Sequence, residues 1–147
     1  MDWTLYDDPD GTDRIAARLI DTGLGKANDA AAPLHEVRPL ACHARDAAGQ
    51  TVGGAVGRTW GACCELQQLW VTPARRRGGI GAALVRRFEA LAAQRGCTVF
   101  YLETFSFQAP ALYRRLGYEV VATIAGFAPG VEKHLMVRRQ NSSRLAP

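Results

Sequence analysis

The chain has 147 residues, 48% of them hydrophobic and 22% charged, which fits one ordinary globular domain with a core of its own. No apolar stretch approaches the roughly 18 residues of a membrane helix, and the acidic start MDWTLYDDPDG resembles neither a signal nor a transit peptide. A cytoplasmic protein with no membrane partner is expected. The net charge of +4 is uneven: residues 1–50 hold nine acids and five bases, residues 51–147 five acids and thirteen bases. An anionic partner should therefore meet the later part of the chain.

In chain order, the pattern predicts a short strand at Trp3–Tyr6 and a helix over Asp13–Leu24, with Ile15, Arg18, Leu19 and Thr22 on one face and Gly23 and Gly25 marking its end. Strands follow at Leu40–Arg45, Thr51–Arg58 and Ala62–Val71, the first two joined by a DAAGQ turn. A second helix spans Gly79–Arg95, where Ile80, Leu84, Phe88 and Leu91 form the apolar stripe and Arg86, Arg87, Glu89 and Gln94 lie elsewhere. TVFYLET reads as a buried strand, APALYRRLG as a short helix with Pro110 in its first turn, and YEVVATI and EKHLMVRR as the last two strands. Residues 1–140 form the expected domain and 141–147 a flexible tail. The expected fold class is α/β: a mixed, mostly antiparallel sheet flanked by helices, with a parallel β-α-β unit in the middle.

The stretch LWVTPARRRGGIGAALV, Leu69–Val85, sits between the strand and helix of that unit. Free N–H groups at a helix start, the positive end of its dipole and glycines that admit close approach make an anion site, and Arg75, Arg76 and Arg77 add charge. A phosphate or diphosphate fits. Neither G-x-x-x-x-G-K-[ST] nor G-x-G-x-x-G/A is matched, since Leu84 stands at the last position of the second pattern. The four cysteines, Cys42, Cys63, Cys64 and Cys97, include no C-x-x-C pair and read as small buried apolar residues. His35, His43 and His134 show no metal spacing, so no metal is expected.

The motif R-x-x-G-x-G, here Arg76, Gly79 and Gly81 after LWVTP, resembles the acetyl-CoA pyrophosphate signature of the GNAT superfamily of N-acetyltransferases. ETFSFQAPALYRRLGYEV, Glu103–Val120, resembles that superfamily's second signature, and the wording TFSFQAP with GYEV is similar to a bacterial subgroup. The resemblance implies acetyl-CoA as cofactor, bound by Leu69, Trp70 and Val71 along the pantetheine arm and by Arg76, Arg77, Gly78, Gly79, Ile80, Gly81 and Ala82 around the diphosphate. Arg77 and Ser106 depart from the family, which often has glycine and asparagine there; Ser106 is expected to donate to the pantetheine. It also implies a sheet that splays between its central strands, with the reaction at the opening.

Such chemistry needs a base to free an ammonium of its proton and an acid for the departing thiolate. Glu65 is the first candidate base. It lies six residues before Val71, so in a regular strand both side chains share a face, and a bulge would break that phase. Glu103, on the opposing strand, is the rival. Tyr113 matches the tyrosine that many GNAT relatives place near the thioester sulfur as general acid, and by resemblance the Val71 N–H would meet the developing oxyanion. The acceptor, a small-molecule amine or else a protein amino group, should meet the segment DTGLGKANDAAAPLHEV and the loop AGFAPGVEK, with Asp21, Asp29 and Glu36 favouring a cation and Trp60, Phe107 and Phe127 as possible apolar walls. A catalytically silent acyl-CoA-binding module would keep the loop without needing Glu65 or Tyr113. Nucleic-acid binding is disfavoured because the arginines are not interleaved with aromatic residues. A homodimer is expected.

Overall fold

The computed structural model describes residues 2–33 and 36–140 and consists of two compact units, Met1–His35 and Glu36–Pro147. In the first, the expected strand at Trp3–Tyr6 is absent. Trp3, Leu5 and Tyr6 are all exposed, and a strand that buries neither face gains little from its propensity. The Asp8 carboxylate accepts bonds from the backbone N–H groups of Thr12 and Asp13, both at 3.0 Å, which hold its pKa below the usual value. Asp13 then caps α1 (Arg14–Ala31), its carboxylate accepting the Ala16 N–H at 2.9 Å.

That helix runs through Gly23 and Gly25 instead of stopping there. Each glycine costs about 1 kcal/mol relative to alanine, which weakens a helix without ending it. The break comes at Ala32, held extended at φ −152°, ψ 150° by the proline that follows. The segment 21–37, expected to leave the helix after Leu24, is therefore helical as far as Ala31; His35 lies outside the described residues.

In the second unit, β1 (Arg38–Arg45), β2 (Thr51–Trp60), β3 (Cys63–Val71), β4 (Val99–Phe105), β5 (Glu119–Ala128) and β6 (Val131–Arg139) form one sheet in the order β1-β2-β3-β4-β6-β5. Only β3 and β4 run parallel, joined through α2 (Ile80–Gln94) as the sequence predicts. The DAAGQ turn closes on Asp46, whose Oδ1 accepts the N–H groups of Ala48 and Gln50, both at 2.9 Å. The expected loop AGFAPGVEK shrinks to the turn at Pro129 and Gly130, because both strands continue to its edges.

One face of the sheet is covered by α2, which buries Leu84, Val85, Phe88, Glu89 and Ala92, while Tyr113 of α3 (Pro110–Arg115) joins the same core. Glu89 is a correction: expected away from the apolar stripe, it is buried. Its carboxylate accepts from Arg138 Nε at 2.6 Å, pairs also with Arg138 Nη2, and accepts from the Tyr118 hydroxyl at 3.3 Å. The guanidinium lies 4.4 Å from the Phe100 ring centroid, so the buried charge is both paired and packed. All four cysteines are free. Cys64 and Cys97 are buried and Cys42 half-buried, but Cys63 is exposed, against expectation.

Two irregularities shape the centre of the sheet. In the β2–β3 register Val56 faces Gln68 but Gly57 faces Leu66, so Gln67 is an extra residue. A Cβ on Gly57 would lie 1.9 Å from the Glu65 carbonyl oxygen and 2.8 Å from Phe88 Cζ, hence the glycine opposite the bulge. The bulge also breaks the even phase. Cys64 and Leu66 point into the core before it, and Leu69 and Val71 pack on the core after it, so Glu65 and Val71 lie on opposite faces, not on the shared face of a regular strand. Second, β3 and β4 pair only from Cys63 with Val99 to Leu66 with Leu102. Pairing ends where the bulge begins. The added local twist turns β3 away from β4, and the expected splay opens there.

Candidate functional site

A cleft of about 1140 Å³ fills the splay. Of the residues expected to hold a cofactor, Leu69, Trp70, Val71, Arg76, Arg77, Gly79, Ile80, Gly81, Ala82 and Tyr113 line it; Gly78 and Ser106 do not. The strand wall is chemically prepared. The Thr72 N–H donates to the Val52 carbonyl at 2.8 Å, which sets the phase of the antiparallel ladder. Trp70, two residues back, bonds to β2, whereas Leu69 and Val71 direct their N–H and C=O groups into the gap. Val71 oxygen is met there by Arg76 Nε at 2.9 Å, which ties the loop to the strand edge.

After the single 3-10 turn Pro73–Arg75, the loop makes two left-handed residues, Arg77 at φ 65° and Gly79 at φ 85°. Arg77 is the one non-glycine described residue with positive φ, a conformation costing L-residues roughly 1–2 kcal/mol. Gly79 is the N-cap of α2 and its carbonyl accepts the Ala83 N–H at 3.0 Å. The N–H groups of Ile80, Gly81 and Ala82 thus precede the first bond of the helix and remain for a ligand. With Arg75, Arg77 and Arg115 lining the same cleft, the loop suits a diphosphate.

At the closed end of the splay lies a second cavity of about 280 Å³, lined by Glu65, Phe105 and Lys133 and sharing Leu66, Gln67, Glu103, Thr104 and Gln108 with the large cleft. The two spaces share that wall. Glu65 Oε2 accepts from Arg58 Nε at 2.8 Å and from the Tyr101 hydroxyl at 3.4 Å; both partners stand directly opposite it in the sheet. Oε1 takes no hydrogen bond from the described residues. Glu103 pairs with Lys133 Nζ at 3.5 Å and stays largely exposed. Tyr113 is only 7% exposed, and burial pushes its phenol up to about 12, so it is protonated at pH 7 and a weaker acid than free tyrosine.

Residues 13–118 match the Acetyltransferase (GNAT) family. The chain belongs to that family. It is 38% identical over 110 residues to the blasticidin-S acetyltransferase of Streptomyces morookaense, covering 72% of this chain and 81% of that protein. Among solved structures, an acetyltransferase from Bacillus cereus ATCC 14579 is 25% identical with a TM-score of 0.79, covering 91% of this chain and 97% of its own. An aminoglycoside 6'-N-acetyltransferase complexed with coenzyme A shares the fold at a TM-score of 0.62 and 23% identity, covering 69% and 72% of the two chains. The protein is thus a GNAT acetyltransferase.

The left-handed geometry of Arg77 fits the glycine that the resemblance implies at that position. Ser106, expected to donate to a pantetheine, is engaged elsewhere: its hydroxyl accepts the Glu132 N–H at 3.1 Å and donates to the Gly130 carbonyl at 3.5 Å, pinning the β5–β6 turn. Gln108 lines the cleft, its side-chain oxygen accepting the Phe105 N–H at 2.8 Å. Three functional candidates escape sequence reasoning. Tyr101 was open to discovery, two residues before Glu103 on the same strand face; Arg58 and Lys133 meet Glu65 and Glu103 only through strand register. His134 bonds Thr123 Oγ1 at 2.9 Å. Among the described residues no group of His, Cys, Asp or Glu has metal-binding geometry, and no helix is long and apolar enough to cross a membrane.

Proposed function

We propose that this GNAT protein transfers the acetyl group of acetyl-CoA to a primary amine of a small molecule by direct attack of the amine. The observation that carries the reading is the adjacency of the two cavities, which share five lining residues and between them take in the arginine and glycine loop, the unpaired edge of β3 and Glu65. Bound acetyl-CoA supplies an acyl group activated as a thioester. Ile80, Gly81 and Ala82 present their amides to its diphosphate, with Arg75, Arg77 and Arg115 adding charge, and Leu69 and Val71 offer backbone groups to the pantetheine arm.

Glu65 takes the proton of the acceptor ammonium through Oε1, held in place by Arg58 and Tyr101 on its other oxygen. Its exposure to the smaller cavity admits either direct contact or one intervening water. Glu103 is the second choice: both carboxylates are ion-paired, Glu65 with Arg58 and Glu103 with Lys133, but Glu103 is the more exposed of the two. The Val71 N–H faces the gap where an oxyanion would form, and Tyr113 holds a proton for the departing sulfur. The homodimer is retained as part of this proposal, with β5 at the outer edge of the sheet among the described residues.

The test is a calorimetric titration with acetyl-CoA at physiological salt, repeated with dephospho-CoA and desulfo-CoA, followed by an acceptor screen. Blasticidin S heads that screen, since a relative 38% identical is a blasticidin-S acetyltransferase. Saturable one-to-one binding with acetyl transfer to an amine is expected; a folded protein free of copurified CoA that binds none of these compounds would refute the reading.

A further inference from the structure

Three phenylalanines gather beside the reaction centre, and the reaction as proposed uses none of them. Phe105, at the end of β4, stacks on Phe107 of the following loop with centroids 5.3 Å apart and planes 8° apart. It meets Phe127 of β5 edge-on, also at 5.3 Å and at 89°. Lys133 Nζ lies 5.1 Å from the Phe105 centroid and 5.5 Å from that of Phe127, and its other partner is Glu103. Phe105 therefore has three partners, one ring face to face, a second at right angles and a cation. Phe107 is not. It is 69% exposed and lines the large cleft, while its stacking partner Phe105 lines the smaller cavity next to Glu65.

An exposed aromatic ring, braced from behind and lining the large cleft beside the smaller cavity, has one face left for a flat partner. Core packing does not explain it, because a ring placed only to fill the core would be buried. Resting on the transferase reading above, we infer that the acceptor is an amine carried on a planar aromatic ring, which stacks on Phe107 while its ammonium reaches Glu65 Oε1. Offset stacking of this kind contributes about 0.5–1.5 kcal/mol beyond area burial, or roughly 2- to 13-fold in affinity. The carboxylates supply attraction for any cation, so the ring is what separates one amine from another.

The probes are 2-phenylethylamine and 2-cyclohexylethylamine, which share chain length and charge but differ in flatness. Each is titrated into the CoA-loaded protein, and acetyl transfer to each is followed separately. We expect the flat amine to bind about fivefold more tightly, and Phe107→Ala to remove that difference while leaving the affinity for 2-cyclohexylethylamine within about twofold. Phe107→Leu, which keeps apolar bulk without a ring, should behave as Phe107→Ala does and guards against a misfolded alanine variant. Equal binding of the two amines, binding of neither, or a preference that survives both substitutions overturns the inference. Failure of CoA to bind, with the ring preference intact on the unliganded protein, would sink the transferase reading and leave the ring site standing.

Discussion

Gly57→Ala tests the bulge that creates the site. The added Cβ would lie 1.9 Å from the Glu65 carbonyl oxygen, a backbone atom, and 2.8 Å from Phe88 Cζ, a core ring with 1% exposure. Neither neighbour can swing aside as the tip of a flexible side chain would. Overpacking of a core costs about 1–3 kcal/mol, and contact with backbone puts this case at the upper end. Removing a glycine gives back about 0.4–1 kcal/mol through the unfolded chain, so a net loss of about 2 kcal/mol follows. For a chain of 147 residues that lowers Tm by roughly 6 °C, at about 3 °C per kcal/mol. Because the displaced carbonyl belongs to Glu65, turnover should also fall at temperatures where the variant is still folded. Differential scanning calorimetry supplies the first readout and steady-state acetylation the second. Gly23→Ala is the matched control, since an added Cβ in α1 meets nothing within 4 Å and should stabilise the helix by up to about 1 kcal/mol. A Gly57→Ala protein melting within 1 °C of wild type would show that the close approach and the bulge built on it are not as described.

Tyr113→Phe should lower kcat, by about 10²-fold if the phenol is the proton donor, with acetyl-CoA affinity nearly unchanged; unchanged turnover removes Tyr113 from the acid role. Gly81→Asp should abolish cofactor binding in the titration, because it sets a carboxylate among the amides expected to meet a diphosphate, 3.5 Å from Leu112 at its Cβ; normal binding would refute the placement of the loop. Arg138→Met should destabilise the fold by about 3–5 kcal/mol, since it leaves the Glu89 carboxylate buried without its cation, and denaturant unfolding within 1 kcal/mol of wild type would contradict this. Stability should fall as pH rises from about 10 toward 12. Burial raises the Tyr113 phenol to about 12 and raises Tyr101 and Tyr118 as well, so over that range the unfolded chain loses protons that the folded one keeps. A melting temperature flat across that interval would count against the buried phenols.

Much of the site was legible because its parts are local. The arginine and glycine loop can be read from residues 69–85, since a strand, a turn needing positive φ and a helix start are neighbours in sequence, and spacing alone places their amides. The parallel unit around it and the stripe of Leu84 and Phe88 follow from the same short-range periodicity. Errors arose where a long-range partner decides. The stretch Trp3–Tyr6 has strand-forming residues but no burial for either face, Glu89 is drawn into the core by Arg138 and Tyr118, and Ser106 is taken by a turn 24 residues further on. Even the phase of Glu65 depends on a bulge recorded only in the register with β2.

The sequence by itself determined the local shape and charge of the loop, because helix dipoles, glycine conformations and charge act over a few residues. Only the tertiary structure decided where the catalytic candidates face and what surrounds them. The opening between β3 and β4, the Arg58 and Tyr101 clamp on Glu65 and the ring presented by Phe107 each join residues brought together by strand register, and a one-residue change in register moves every side chain of a strand to the other face.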